Sequence, residues 1–369
     1  MSSALKFVSV VGARPQFIKL APMCQAFSVI DNVSHEIVHT GQHYDERMST
    51  VFFEELAIPE PTVNLEIGSG GHGEQTGKML QALERYFMQC EASAVIVYGD
   101  TNSTLAACLA ATKLHIPVAH VESGLRSFNR AMPEEINRVA TDHCADRLYA
   151  PTPVSVANLK NENLSDRTVF SGDVMRDTVI RNLAIARERG VRSVYGRNGE
   201  SGEYGVLTLH RPVNTDSEVL PELLRRLDRI ASNTMPLVFP VHPRIRAIVD
   251  ACRSGFSSLR FVEPLTYLEM LVTAEAANLI ITDSGGLQKE AAFVHTPCVT
   301  VRDETEWTET VEIGVNILTG TAEESIAQAV AVAMDMEFDA TVAQSLDRCF
   351  GSGNAARTIV EDMVHYFRS

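Results

Sequence analysis

What the 369-residue chain lacks narrows its possible functions before any motif is read. None of its seven cysteines (24, 90, 108, 144, 252, 298, 349) is spaced as CxxC, and their number is odd, which argues against a zinc site or a disulfide framework and for reduced thiols. Positive charge is in deficit: 32 Lys and Arg stand against 47 Asp and Glu, a net charge of −15, so nothing supplies the basic stripe that nucleic acid needs. No run of about 18 apolar residues is available to span a membrane. The first residues, MSSALKFVSVVG, are too soon interrupted by Arg14 to act as a signal peptide. Short-period repeats and low-complexity tracts are also absent. These absences predict a cytoplasmic protein that takes neither nucleic acid nor membrane as a partner.

What is present is the composition of a globular enzyme, 45% apolar and 21% charged, at a length that suits two domains. Short apolar runs alternate with longer helical patterns. KFVSVVG, HEIVHT, AVIVYG, VAHVES and RLYAPT in the first half, then YGVLTLH, LVFPVH, LRFVEP, LIITDS and CVTVRD in the second, predict an α/β fold of parallel sheets wound by βαβ units. The Gly-, Ser- and charge-rich stretch 190–205 reads as an exposed loop early in the second half, and the domain switch is placed slightly earlier, near 172–176.

In such sheets ligands gather beyond the carboxyl ends of the strands. The residues there are Gly12 and Arg14, Gln42 and His43, Gly99 and Asp100, and Glu122 in the first half; His210, His242, Ser284-Gly285-Gly286 and Arg302 follow in the second. The first βα turn, VVGARPQFIKLA, lacks the GxGxxG dinucleotide pattern and instead carries Arg14 and Lys19, two cations suited to a phosphate or a carboxylate, or merely a charged helix end. TDSGGLQKEAA (282–292) strips the start of a helix to serine and glycine, leaving bare amides for an anion, with Glu290 one turn on for a ribose diol. A glycine turn required only by its dihedrals, with Glu290 solvated, is the other reading. On the helix that opens at Pro133, Ile136, Val139, Ala140 and His143 share one face, read as its core side, while Glu134, Asn137, Arg138 and Thr141 line another. Asp100, Glu122 and Glu134 then form a set of carboxylates able to abstract a proton from a weakly acidic carbon. His210 and His242, unaccompanied by any metal-ligand spacing, suit a diphosphate pocket.

Eight strings in this order, VVGARPQFIK, VYGDTNST, HVESGLRS, MPEEINR, TLHRPVN, FPVHP, TDSGGLQKEA and RDETEW, fall within residues 8–307. The chain resembles the non-hydrolysing UDP-N-acetylglucosamine 2-epimerases. That resemblance implies a GT-B fold, two Rossmann-like doubly wound domains facing across a cleft. The domains expected are 1–172 for the sugar and acid/base side, 173–353 for UDP, and a last helix, 354–369, returning to the first domain. It implies loss of UDP by anti elimination to a 2-acetamidoglucal and re-addition, with a UDP-sugar and UDP as the ligands. No cofactor and no metal are implied, and a homodimer is. Asp100, Glu122, Glu134 and His210 match the catalytic positions. Arg14, Lys19, Arg138, His242, Ser284, Gly285, Gly286, Glu290 and Arg302 match positions around the substrate, and Gln42 and His43 match part of a pocket for a second nucleotide-sugar.

Departures bear on the sugar. GARPQ stands where many members read GTRPE and TEWTET where they read TERPE, which is similar to the branch acting on UDP-2,3-diacetamido-2,3-dideoxy-glucuronate. TGQHYDER departs from the second-site pattern, so allosteric activation is not expected. The competing readings are a GT-B glycosyltransferase, which would leave C2 untouched, a hydrolysing epimerase, which would release UDP, and a non-catalytic nucleotide-sugar binder.

Overall fold

The run Ala94-Val95-Ile96-Val97-Tyr98 has no polar side to offer water, and it forms a strand buried along its whole length. A computed structural model describes residues 5–42, 53–195 and 202–368. These fall into two units, Met1–Thr178 with Asp347–Ser369, and Val179–Leu346.

In the first unit, β1 (Leu5–Val11), β2 (Val33–His39), β3 (Val63–Asn64), β4 (Ala94–Tyr98), β5 (Val118–Val121), β6 (Arg147–Ala150) and β7 (Thr168–Phe170) lie in the order β3-β2-β1-β4-β5-β6-β7. All neighbours are parallel. The second unit orders β8 (Gly205–Thr208), β9 (Leu237–Pro240), β10 (Leu259–Val262), β11 (Leu279–Thr282), β12 (Cys298–Thr300) and β13 (Asn316–Leu318) as β10-β9-β8-β11-β12-β13, again all parallel. Every apolar run read as a strand is one. The three strands the reading did not name, β3, β7 and β13, are two or three residues long and sit at sheet edges. In both sheets the winding reverses once, between β1 and β4 and between β8 and β11. At such a reversal the connections leave in opposite directions and open a crevice at the strands' carboxyl ends.

Valines 8, 10, 38, 95 and 97 of the first sheet pack against Met79 and Leu83 of the helix His72–Phe87 and Ala107 and Ala111 of the helix Asn102–Lys113. Leu223, Leu224, Leu227 and Ile230 of the helix Leu220–Ser232 cover Leu207, Leu237 and Phe239 of the second sheet. The helix Val174–Glu188 carries the chain from one unit to the other, and the residues from Asp347 onward rejoin the first. There the helix Ala355–Tyr366 is fixed at its start by Asp177, which accepts the amides of Ala355 and Ala356 at 3.1 and 2.8 Å. Further along, Asp362 accepts two bonds from Arg147, at 2.8 and 2.7 Å, and one from the Tyr149 hydroxyl at 2.8 Å.

Gln16 ties the β1 and β4 ends together. Its Oε1 accepts the amides of Gly12 and Ala13 at 2.8 and 3.0 Å, and its Nε2 donates to the Tyr98 carbonyl at 3.0 Å and to Thr104 Oγ1 at 3.1 Å. The side chain is 1% exposed, so no water can replace it. Gln16→Met, which keeps the volume but orphans those groups, is expected to destabilise the protein by about 2–4 kcal/mol. Urea unfolding midpoints of the two proteins measure it; equal midpoints would show that the turn does not depend on this amide.

Candidate active site

The turn after β4 brings the first charged cluster together. Gly99 holds φ at +62°, and a Cβ there would stand 3.1 Å from Glu122 Oε2 and 3.2 Å from Lys19 Nζ, so glycine leaves the space that the pair occupies. Lys19 pairs with Glu122, and Arg138 pairs with Asp100. Glu122 itself has φ +70°, a conformation that costs a non-glycine residue energy, held because Tyr149 O accepts the amides of both Glu122 and Ser123 at 3.1 Å. Asp100 keeps 31% of its side chain open to solvent. Its carboxyl nevertheless sits deep among its neighbours, and this loss of hydration pushes its pKa above the ordinary carboxylate value, against the pull of Arg138 and Lys19.

The helix Pro133–Cys144 faces the opposite way from the wheel's prediction. Glu135, Asn137, Arg138, Thr141 and Asp142 are buried, while Ile136 is 42% exposed. The polar face turns inward because its charged and amide side chains find partners, although the Thr141 hydroxyl makes no hydrogen bond. Asn137 donates to the Asp100 carbonyl at 2.9 Å and to Asn102 at 3.2 Å. Glu135 accepts the Ser127 amide and hydroxyl and the Phe128 amide, all at 2.9 Å, and pairs with Arg138 at 2.9 Å. Burial opposes ionisation of Glu135, but those bonds and the Arg138 charge hold its carboxyl below the usual range. Glu134 stands exposed in the first turn. Glu135 was not singled out from sequence; its only signal was a second acid beside the one chosen.

In the second unit the decisive residue is Asp283, which follows β11. Its fully buried carboxylate pairs with His210 Nδ1 at 2.7 Å and accepts the amides of His210 at 3.0 Å and Arg211 at 3.1 Å and the Asn214 side chain at 3.0 Å. The β8–β11 pairing sets Thr208 against Thr282, and so places Asp283 beside the turn that carries His210. With Nδ1 committed to the carboxylate, His210, 51% exposed, presents Nε2 outward. Ser284 caps the helix Gly285–Phe293, its Oγ accepting the Leu287 amide at 3.3 Å. A side chain at Gly285 would collide with the Glu306 carboxylate, whereas at Gly286 only Ser284 Oγ comes near, at 3.9 Å, leaving the backbone open to a ligand. Arg302 holds Glu306 at 3.0 Å; burial alone would raise the Glu306 carboxyl, and Arg302 with Arg211 keeps it low. Glu290 is 7% exposed and is therefore not a solvated helix position. Lys289, also buried, lies over the Trp307 ring at 3.6 Å.

Other candidates sit as follows. Arg14 is exposed at the start of the helix Arg14–Ser28, and His242 Nδ1 accepts the Arg244 amide at 3.2 Å. Gln42 spends its carbonyl oxygen on Ser103, accepting its amide at 3.1 Å and its hydroxyl at 2.7 Å. His43 lies outside the described residues. Two strings escaped the motif reading. HEIVH (35–39) has the letters of a zinc motif but forms a strand, where alternation puts Glu36 on the face opposite both histidines, and the motif needs a helix. GSGGHG (68–73) has dinucleotide-like spacing but follows the two-residue edge strand β3 and not the first strand. Among the described residues no group of three or more His, Cys, Asp or Glu is placed to hold a metal ion.

The same fold recurs in known proteins. The family model for UDP-N-acetylglucosamine 2-epimerase matches residues 25–364. The chain belongs to that family. It is 43% identical to a UDP-N-acetylglucosamine 2-epimerase homolog of Methanococcus maripaludis, over 97% of this chain and 99% of that one. It is 42% identical, with the same coverage, to the UDP-2,3-diacetamido-2,3-dideoxy-D-glucuronate 2-epimerase of Pseudomonas aeruginosa. The crystal structure of the Methanocaldococcus jannaschii UDP-GlcNAc 2-epimerase in complex with UDP-GlcNAc and UDP superposes with a TM-score of 0.85 at 38% identity, covering 98% of this chain and all of that one. The Neisseria meningitidis enzyme bound to UDP-GlcNAc gives 0.88 at 26% identity, with coverage of 98% and 100%. The protein is thus an epimerase, an isomerase of GT-B type.

The Asp283 carboxyl is opposed by burial but held below its ordinary value by His210, Asn214 and the Arg211 amide. A carboxyl depressed on folding stabilises fully above its unfolded pKa of about 3.9 and loses that contribution as pH falls through the lower folded value. Asp283→Asn is therefore expected to melt earlier than wild type at about pH 5, by a margin that shrinks as the pH is taken below about 4. Thermal melts across that range test it, and a margin independent of pH would remove the ion pair as its source.

Proposed function

We propose that this epimerase interconverts UDP-N-acetylglucosamine and UDP-N-acetylmannosamine by anti elimination of UDP, giving 2-acetamidoglucal, and re-addition of UDP. The observation that carries this reading is the cluster at the β4 and β5 ends, where two carboxylates, Asp100 and Glu122, meet two cations, Lys19 and Arg138, around one glycine turn. Such a set can take a proton from carbon and return one. Asp100, raised in pKa, is the base toward the C2 hydrogen, and Glu122 and the exposed Glu134 supply the returning proton. UDP takes the second unit: the diphosphate the Ser284–Gly286 turn with His242 and Arg302, the ribose Glu290. His210, oriented by Asp283, faces the departing diphosphate. No cofactor is needed, because the proton and the leaving group are both restored. We further place the enzyme in the cytoplasm as a homodimer serving cell-surface polysaccharide synthesis.

A second reading keeps the mechanism and changes the sugar. The Pseudomonas aeruginosa relative and the TEWTET string, whose Trp307 covers Lys289, favour UDP-2,3-diacetamido-2,3-dideoxy-glucuronate as substrate. Parallel incubation with both nucleotide-sugars, followed by NMR at C2, separates the two.

In D2O the product is expected to carry deuterium at C2; product without it would overturn the elimination. Asp100→Asn is expected to lower kcat by about 10²–10⁴ while UDP affinity, read by calorimetry, holds. Wild-type exchange by that variant would move the base to Glu122 or Glu134. The pH profile gives an independent check. A base with a raised pKa loses activity as pH falls through it, so the acid limb of kcat/KM is expected above the ordinary aspartate value of about 3.9. Arg138→Met, which removes the main cation holding that value down, is expected to move the limb to higher pH; an unmoved limb would show that another group sets it.

A further inference from the structure

His120 lies in the middle of β5, paired with Val97 of β4 and Leu148 of β6, and its side chain is wholly buried. Both ring nitrogens meet acceptors. Nε2 stands 2.8 Å from the Gly99 carbonyl and Nδ1 2.7 Å from Asp142 Oδ1. A carbonyl oxygen only accepts, so Nε2 carries a hydrogen. Asp142 is acceptor-only as well: burial opposes its charge, but His120 and Arg126 hold its carboxyl below the usual range. Its Oδ2 is already engaged by the Gly124 amide at 3.0 Å and by Arg126 Nη1 at 2.7 Å. Nδ1 must then carry a hydrogen too, because a neutral ring would press one lone pair against an acceptor.

The charges continue in alternation. Arg126, 7% exposed, makes a two-pronged bond to Glu162, with both contacts at 2.7 Å, and Glu162 meets the half-exposed His143 at 3.1 Å. His120, Asp142, Arg126 and Glu162 thus run plus, minus, plus, minus, which offsets the cost of burying an imidazolium.

The ends of this chain fall on the reacting turns. Gly99, whose carbonyl His120 holds, is the residue before Asp100. Gly124, whose amide Asp142 holds, comes two after Glu122, and both glycines have positive φ, +62° and +81°. A Cβ at Gly124 would stand 2.5 Å from the Ser155 carbonyl, so that turn has no room to drift.

We infer that His120 is a positioning residue held as a buried imidazolium, which fixes the two turns carrying Asp100 and Glu122 in the geometry that proton transfer at C2 requires. The inference rests on the acid–base roles proposed above for those two carboxylates, while the protonation of the ring stands apart from them.

Two measurements test it. In protein labelled with nitrogen-15 histidine at pH 7.5, the His120 ring, assigned by the signals lost on its substitution, is expected to show hydrogens on both nitrogens; a single N–H on that ring overturns the inference. In His120→Asn, which keeps a donor but loses the charge and one bond, kcat is expected to fall about tenfold or more with KM within about threefold. Wild-type kcat in the folded variant overturns it. Should that variant fail to fold, Asp142→Asn is read for the same split, with unchanged kcat again counting against the inference. Deuterium exchange at C2 by the wild-type enzyme is measured first. Its absence would count against the proposed reaction and leave the ring measurement as the test of the imidazolium.

Discussion

Three buried carboxylates, each saturated with donors, hold the rims on which everything else depends. Glu135, Asp142 and Asp283 are 3%, 0% and 0% exposed, so each would cost several kcal/mol if left unpaired. None is. Each accepts at least one backbone amide from a turn distant in sequence or across a loop, and each is matched by Arg138, by Arg126 with His120, or by His210. A low dielectric makes such bonds strong when made and expensive when missing, and turns built on them take one conformation. That rigidity is what lets Gly99, Glu122 and Gly124 keep positive φ values at the strand ends.

The same principle explains the inverted helix Pro133–Cys144. Periodicity assigns its apolar stripe to the core because apolar burial usually decides, yet here Asn137, Arg138 and Asp142 gain charged and amide partners that water would otherwise have supplied. The half-open Ile136 face forgoes some apolar burial in exchange. A helix at the rim of the candidate active site thus serves the turns beside it before it serves the core.

The two units apply one winding to different chemistry. At its reversal point the first sheet gathers carboxylates and cations, and the second gathers a glycine-opened helix start and a histidine fixed by an aspartate. Family membership accounts for the shared frame. Lys289 under Trp307, and Glu306 held by Arg302 beside Gly285, set the local chemistry around the Ser284–Gly286 turn.

The sequence by itself determined the α/β class, ten of the strands and the residues at their ends, because a buried parallel strand is apolar over most of its length and the polar residue that ends it cannot be hidden from the pattern. The string of ordered motifs also sufficed to place the family. Only the tertiary structure decided that Glu135 and not Glu134 is the buried acid of its helix's first turn, that Gln42 braces Ser103, and that Asp283 aims His210. In each case the deciding partner lies on another element, and which of two adjacent acids turns inward depends on donors that no local spacing records. Edge strands β3, β7 and β13 were missed for the related reason that two or three residues carry no period; they are strands because a neighbour offers them hydrogen bonds.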